Sequence, residues 1–470
     1  MSAVAAPLRN RDWYESYVST FPKGRVLSHL LGMVIASQFV VSGAAHEHIP
    51  YAKLPLNTAW LDVPLRVILL WLILDRNWRI GKLKFTAWDA IALGFPVIVG
   101  LAYPFSVSDP TIGASADGFK AFFGDMLRFY TVFILVREGH LRAGFNGRTV
   151  LNWVMLGLSA SAGLALLQAA NVGGVRKWSE EFFDQHRTFN QNETYRARGT
   201  AQHWNGFASE MVVGLLIAAS ALQFRKLKWW EYGFGTLFVL GLLVSTSRGG
   251  YATLFITIAA AGVFFLFTKR PKTGGIILGT LAISVLAFSA IVVSAKVELF
   301  KDLLVPPKVE SADIGSLKYR MEQGRKLMKV GMQHPIFGTG PSERLYFNEH
   351  TTFFSSSSVP GKLDVTYPLL FAQFGIVGIL YMLALTGFFL RFALRRYILH
   401  PYALLAFCTG VALAVHSFSE MLLLSELMYL VAIVAALAVT RFKPIELARK
   451  PVPRQIRIPR AKLAESASLM

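Results

Sequence analysis

The chain has 470 residues, 54% of them hydrophobic and only 16% charged, and a formal net charge of +20. So few charges, against ~25% in soluble domains, exclude an ordinary water-soluble globular protein. The basic residues are spread over short loops and a tail, which excludes nucleic acid as the partner and fits cytoplasmic segments beside anionic lipid.

The N-terminal segment, residues 1–26, is polar and mixed. It lacks the short apolar core and small-residue cleavage site of a removable signal peptide, and is expected to stay cytoplasmic. Apolar runs of ~17–25 residues then recur along the chain, each long enough to cross a bilayer as a helix. Spans are predicted near 27–45, 58–74, 86–106, 119–137, 151–171, 205–224, 231–247, 250–268, 274–297, 366–390, 401–418 and 421–440. The expected fold is an all-α polytopic membrane protein of twelve spans: nine within 27–297, three within 366–440, then a basic tail at 441–470. The single cysteine, Cys408, lies in an apolar run and excludes an intrachain disulfide or a cysteine-based metal site.

The loops between these spans alternate in charge. Arg9, Arg11, Lys23 and Arg25 precede the first span; Arg76, Arg79, Lys82 and Lys84 follow the second; Arg137, Arg142 and Arg148 follow the fourth. Arg225, Lys226 and Lys228, then Lys269, Arg270 and Lys272, then Arg391, Arg395 and Arg396 continue the series into the tail Arg441–Lys462. With an even number of spans all of these share one side, and the positive-inside rule makes it the cytoplasm.

Two long polar segments fall on the opposite, periplasmic side: 172–204 and 298–365. Long loops translocate largely regardless of charge, and both are rich in cations, including Arg176, Arg196 and Arg198 in the first and Arg320, Arg325 and Lys329 in the second. Within the larger loop, Ile314–Val330 has helical periodicity, with Tyr319, Met321, Leu327 and Met328 as its apolar face, and is expected to lie along the membrane surface. Arg248 is the only charged residue between Tyr232 and Thr268. A charge at bilayer depth is costly and marks a functional candidate. Ser245–Gly250 around it reads as a tight turn on the same outer side, so three parts of the chain bring cations to one face. An anionic ligand is the natural partner there.

Three motifs lie at these positions. The first is Arg198-Gly199-Thr200 followed by Asn205 and Ala208; the second is Thr246-Ser247-Arg248-Gly249. The third is Arg320, then His334-Pro335-Ile336-Phe337-Gly338-Thr339-Gly340, then Phe374-Gly375-Ile376-Val377-Gly378. In this order, over about residues 195–385, they resemble the O-antigen ligase and O-antigen polymerase family of bacterial inner-membrane, GT-C-type glycosyltransferases. The resemblance implies transfer of an oligosaccharide from undecaprenyl diphosphate to an acceptor sugar hydroxyl at the periplasmic face, without metal or other cofactor. It implies as partners the lipid-linked donor, an acceptor glycan or glycolipid, the bilayer and polysaccharide-assembly proteins.

The residues fit that chemistry. Arginine stays protonated and grips phosphate oxygens through paired hydrogen bonds, so fixed arginines favour the charge that grows on a diphosphate leaving group. Arg198, Arg248 and Arg320 are the expected diphosphate contacts, with Arg196 and Arg325 behind them. The family's ligase branch carries a His-Asn pair before the span that matches Tyr367–Leu390. Alignment on Gly375 and Gly378 puts Asp364-Val365 there instead, which favours a polymerase over a ligase. Asp364 is the expected base, since a carboxylate beside apolar walls has its pKa raised; Glu349, His350 and His203 are further base or acceptor contacts. Each has a plainer alternative: Arg248 as a snorkelling cation at a helix end, Asp364 as a helix cap, His334–Gly340 as a turn. A transporter of the same lipid-linked glycan is the rival from another class, disfavoured because its charges would cluster near the bilayer midplane within internal repeats.

Overall fold

In lipid an apolar run must satisfy its own backbone hydrogen bonds, which leaves the helix as its only open-chain solution. The computed structural model of the protein describes residues 22–40, 67–68, 87–107, 113–139, 146–182, 195–201, 204–221, 227–267, 271–295, 317–342, 366–396, 402–417 and 427–439. Among these residues there are thirteen α-helices. They are α1 (Pro22–Val40), α2 (Ala87–Ala102), α3 (Ala116–Glu138), α4 (Gly147–Ala170), α5 (Val175–Phe182), α6 (Trp204–Ser220) and α7 (Trp229–Ser245). Then follow α8 (Arg248–Phe267), α9 (Pro271–Ala295), α10 (Leu317–Gln333), α11 (Thr366–Arg396), α12 (Ala403–His416) and α13 (Leu427–Val439).

Eleven of these occupy predicted spans, while α5 and α10 belong to the two long loops. The span expected near 58–74 lies outside the described residues except for Val67 and Ile68. Among the described residues three helices are long and apolar enough to cross a membrane, at Gly147–Ala170, Gly249–Phe267 and Thr366–Arg395, and shorter apolar helices accompany them. The protein is therefore a helical membrane protein.

Helix α4 packs against α1, α6 and α7; α8 packs against α6, α9 and α12; α11 joins α2, α10 and α12. Without a hydrophobic force between helices in lipid, close approach over small residues supplies the contact. A Cβ added at Gly157 of α4 would stand 2.5 Å from the carbonyl oxygen of Ala36 in α1.

The helix ends sort into two sets. At one end the Asn146 N–H donates to Ser28 Oγ (2.9 Å), Arg137 pairs with Asp89 (2.5 Å), and Arg148 pairs with Glu231 while donating to the Ile217 carbonyl (3.1 Å). At the other end the Thr200 hydroxyl donates to the Phe39 carbonyl (2.5 Å), the Ala197 N–H to Val244 O (3.1 Å) and the Thr366 N–H to Ser417 O (3.1 Å). Helices consecutive in the chain therefore run in opposite directions where these contacts describe them, while α1, α4 and α7, whose N-terminal ends meet, run parallel.

Two cations expected in a solvated loop are buried. Arg137 is 6% exposed and Arg148 8%, because α3 runs on to Glu138 and α4 begins at Gly147, drawing both into helical ends. Each is matched by buried carboxylate: Arg137 by Asp89 and Glu138, Arg148 by Glu231.

The helix expected at Ile314–Val330 appears as α10, three residues further on, and its buried face differs from the predicted one. Leu327 is buried as expected, but its companions are Gly324, Val330 and Gly331, while Met328 is 40% exposed. Tyr319 and Met321 lie outside the described side chains. Gly331 lets α10 close onto α11 at Phe371, so this face rests on the helix bundle.

Candidate functional site

The chain from Tyr195 to Ala201 is a short turn folded over the end of α4. Its fixing point is Gln168, in the last turn of α4, whose side chain is buried. Gln168 Oε1 accepts the N–H groups of both Arg198 (3.0 Å) and Gly199 (2.9 Å). Its Nε2 donates to the Gly199 carbonyl (2.9 Å) and to Ser179 Oγ of α5 (2.9 Å). Thr200 is held beside it, its N–H donating to Ser161 Oγ (3.2 Å).

Gly199 has φ +57°, in the left-handed region that favours glycine. A Cβ there would stand 2.5 Å from Ser161 Oγ, 2.6 Å from Ser161 O and 2.8 Å from the Phe207 ring. The turn thus needs glycine for two reasons, its dihedral and its depth.

Arg198 is 2% exposed. Desolvation lowers its pKa from the usual arginine value; Tyr195 and Glu180 act in the opposite direction and Arg196 adds to the lowering. Nearby, Arg176 reaches back from α5 to the terminal carbonyls of α4, Gln168 O (2.7 Å) and Ala169 O (2.8 Å), where a cation complements the helix dipole. Its guanidinium lies 4.0 Å over the Tyr195 ring. Burial also raises the Tyr195 pKa, with Glu180 adding to the rise and Arg198 and Arg176 opposing it.

The second motif meets the first directly. Helix α7 ends at Ser245, Thr246 takes a left-handed conformation at φ +48°, and α8 begins at Arg248. Ser247 caps α8 by accepting the Gly250 N–H on its hydroxyl oxygen (3.1 Å), and donates its own proton to Asn205 Oδ1 (2.7 Å). The Ala197 N–H donates to Val244 O at the end of α7. The 195–201 turn, Asn205 in the first turn of α6 and the 246–250 turn thus form one polar knot at a single end of the bundle.

The third motif is two pieces that complete each other. Helix α11 breaks at Gly375 (φ +61°, ψ −153°), and the His334–Pro341 loop fills the break. Thr339 and Gly340 donate their N–H groups to Ala372 O (2.8 Å) and Gln373 O (2.9 Å), and Ile376 donates to Pro335 O (2.8 Å). The same loop reaches the far ends of α2 and α3, where Val107 donates to Thr339 O and Ser115 to Pro341 O. His334–Gly340 is therefore a structural element that fixes α10, and the positions of Arg320 and Arg325 on it, relative to α11.

Of the expected site residues, Arg198 is buried, Arg196 is half-buried and Arg325 is exposed on α10. Arg248 and Arg320 occupy the first turns of α8 and α10, and their side chains lie outside the described part of the structure. Asp364, Glu349, His350 and His203 also lie outside the described residues. Sequence reasoning missed Gln168, Ser161 and Ser179. An amide at the end of an apolar run gives no signal beyond marking where the span stops. Among the described residues no cluster of His, Cys, Asp and Glu has metal-site spacing.

No curated protein matches the chain. Residues 233–383 match the family model described as Wzy_C, O-antigen ligase. The matched segment runs from α7 through the Ser247–Arg248 turn, α8, α9 and α10 to the broken helix α11, and so contains the second and third motifs; the Arg198 turn packs against it from outside. Over this segment, about a third of its length, the chain is similar to the O-antigen ligase family.

Proposed function

We propose that this protein transfers an oligosaccharide from undecaprenyl diphosphate to an acceptor sugar hydroxyl at the periplasmic face of the bacterial inner membrane, acting as an O-antigen or exopolysaccharide polymerase. The observation that carries the reading is the knot joining the Arg198 turn to the Ser247–Arg248 turn through Ala197–Val244 and Ser247–Asn205. It brings two arginine positions from distant parts of the chain to one end of an apolar bundle, where a lipid diphosphate would lie.

In the reaction the acceptor oxygen bonds to the anomeric carbon, the bond from that carbon to the diphosphate oxygen breaks, and the acceptor proton passes to a base. A single displacement inverts the anomeric centre. Arg198 and Arg248, with Arg320 from α10, neutralise the charge appearing on the leaving diphosphate. Asp364, immediately before α11, is the base of this reading, with Glu349, His350 and His203 as further acceptor contacts. Arg196 and Arg325 contribute longer-range attraction. No step calls for a metal.

Desolvation gives Arg198 its value and its constraint. In a dry setting its interaction with phosphate is stronger than in water, but at 2% exposure a ligand reaches it only when its cover moves aside. A second reading, ligation of the finished glycan to lipid A–core, is favoured by the description of the matched family. The two separate in cells. Single Arg198→Ala, Arg248→Ala, Arg320→Ala and Asp364→Asn variants of a polymerase leave single repeat units attached to the acceptor. The same variants of a ligase leave long chains on the lipid carrier. Unchanged envelope glycans in all the arginine variants, at normal protein levels, would overturn the catalytic reading.

A further inference from the structure

We propose that Gln168 is the positioning residue of the diphosphate clamp, fixing the backbone on both sides of Arg198 and thereby aiming its guanidinium; this rests on the reading of Arg198 as a diphosphate contact. A carboxamide can accept two hydrogen bonds and donate two. Gln168 makes all four: Arg198 N–H and Gly199 N–H to its oxygen, Gly199 O and Ser179 Oγ from its nitrogen. The side chain is 0% exposed, so no water competes for these bonds. Two of them close a ring on Gly199, holding both its N–H and its carbonyl, which fixes the peptide that follows Arg198.

A pair of successive backbone N–H groups next to a left-handed residue often forms a concavity that binds an anion. Here Gln168 Oε1 already fills it. An incoming phosphate is therefore left to the arginine side chains, and the turn keeps its shape whether or not a ligand is present. Gln168 also links the turn to α5, because Ser179 donates to the Arg176 carbonyl (3.0 Å) and Arg176 clasps the Gln168 and Ala169 carbonyls. Displacing the carboxamide would break the turn's link to Ser179 of α5 and leave Thr200–Ser161 to hold it on α4, with Arg198 and Gly199 no longer fixed.

The test is a double-mutant cycle on the full-length protein in lipid nanodiscs, with undecaprenyl diphosphate as the probe ligand and its Kd as the readout. Arg198→Ala and Gln168→Met are each expected to weaken binding by roughly tenfold, the scale of one charge-assisted hydrogen bond. The double variant is expected to bind no worse than Arg198→Ala alone, because Gln168 acts only through that side chain. Multiplying losses in the double variant would overturn the proposal while leaving the clamp intact. Wild-type affinity in Arg198→Ala would overturn the clamp reading and this inference with it. If Gln168→Met fails to accumulate in the membrane, Gln168→Glu carries the cycle. Its carboxylate still accepts both N–H groups but cannot donate to Gly199 O, and the same non-additivity is expected at a smaller loss. Additive losses there refute the proposal equally.

Discussion

Gly199 and Gly173 share the same backbone dihedral, φ +57°, in opposite surroundings, and the comparison isolates the packing of the Arg198 turn. An alanine at either position bears the left-handed cost of about 1–2 kcal/mol. At Gly173 the added methyl meets nothing within 4 Å. At Gly199 it lands 2.5–2.8 Å from Ser161 Oγ, Ser161 O and the Phe207 ring, two of them on the backbone or a short side chain that cannot swing away. Overpacking of that kind adds about 1–3 kcal/mol, for a total near 2–5 kcal/mol. Since the turn is held mainly by the hydrogen bonds of Gln168, Ser161 and Thr200, the methyl should lift it off α4 before it unfolds the protein. Gly199→Ala should therefore abolish glycan transfer in cells while the protein still accumulates and shows only a modest drop in Tm in detergent. Gly173→Ala should transfer normally. Equal phenotypes for the two substitutions would refute the idea that close packing on α4 sets the geometry of Arg198.

Other perturbations address the rest of the scaffold. Glu231→Gln leaves Arg148 charged and buried, and should destabilise by about 3–5 kcal/mol; the paired Arg148→Met/Glu231→Leu change should cost less, read as Tm in the same detergent. Gly375→Ala forces a side chain into φ +61°, ψ −153°, a region open essentially to glycine alone, with its Cβ 2.6 Å from Pro335 O. It should undock the His334–Gly340 loop, lower Tm and eliminate transfer; normal Tm and transfer would contradict the broken-helix account. Sidedness is open to labelling because Cys408 is buried and should be silent. Trp229→Cys (85% exposed) and Trp178→Cys (51% exposed) stand at opposite ends of the bundle, so a membrane-impermeant maleimide added to spheroplasts should label position 178 and spare 229. Labelling of both or of 229 alone would invert or void the proposed topology.

The sequence carried the helices well where burial in lipid and burial in protein demand the same thing. Described helices stand at the predicted spans, and the 246–250 turn sits where the polar break and two glycines place it. It failed where contact depended on what a residue lacks. The expected face of α10 includes Met328, which is exposed, and omits Gly331, whose missing side chain admits Phe371 of α11. Arg137 and Arg148 looked like solvated loop cations, since their partners Asp89 and Glu231 are 48 and 83 residues away and no local pattern announces them. Gln168 was invisible for the same reason: its four partners belong to α5 and to the 195–201 turn, and only the fold assembles them. Arg198 and Ser247–Arg248 were recognised as separate motifs, but their direct connection through Asn205 and Val244 was not.

The two ends of the bundle are also held by different kinds of bond. One end relies on ion pairs, Arg137 with Asp89 and Glu138, and Arg148 with Glu231. The other rests on Gln168, Ser161, Thr200, Ser179, Asn205 and Ser247, none of which gains or loses a proton in the ordinary range. On the proposed topology, acidification of the periplasm therefore has nothing in that hydrogen-bond network to titrate. A pH–rate profile of this protein should report the base of the reaction, with no contribution from those six side chains.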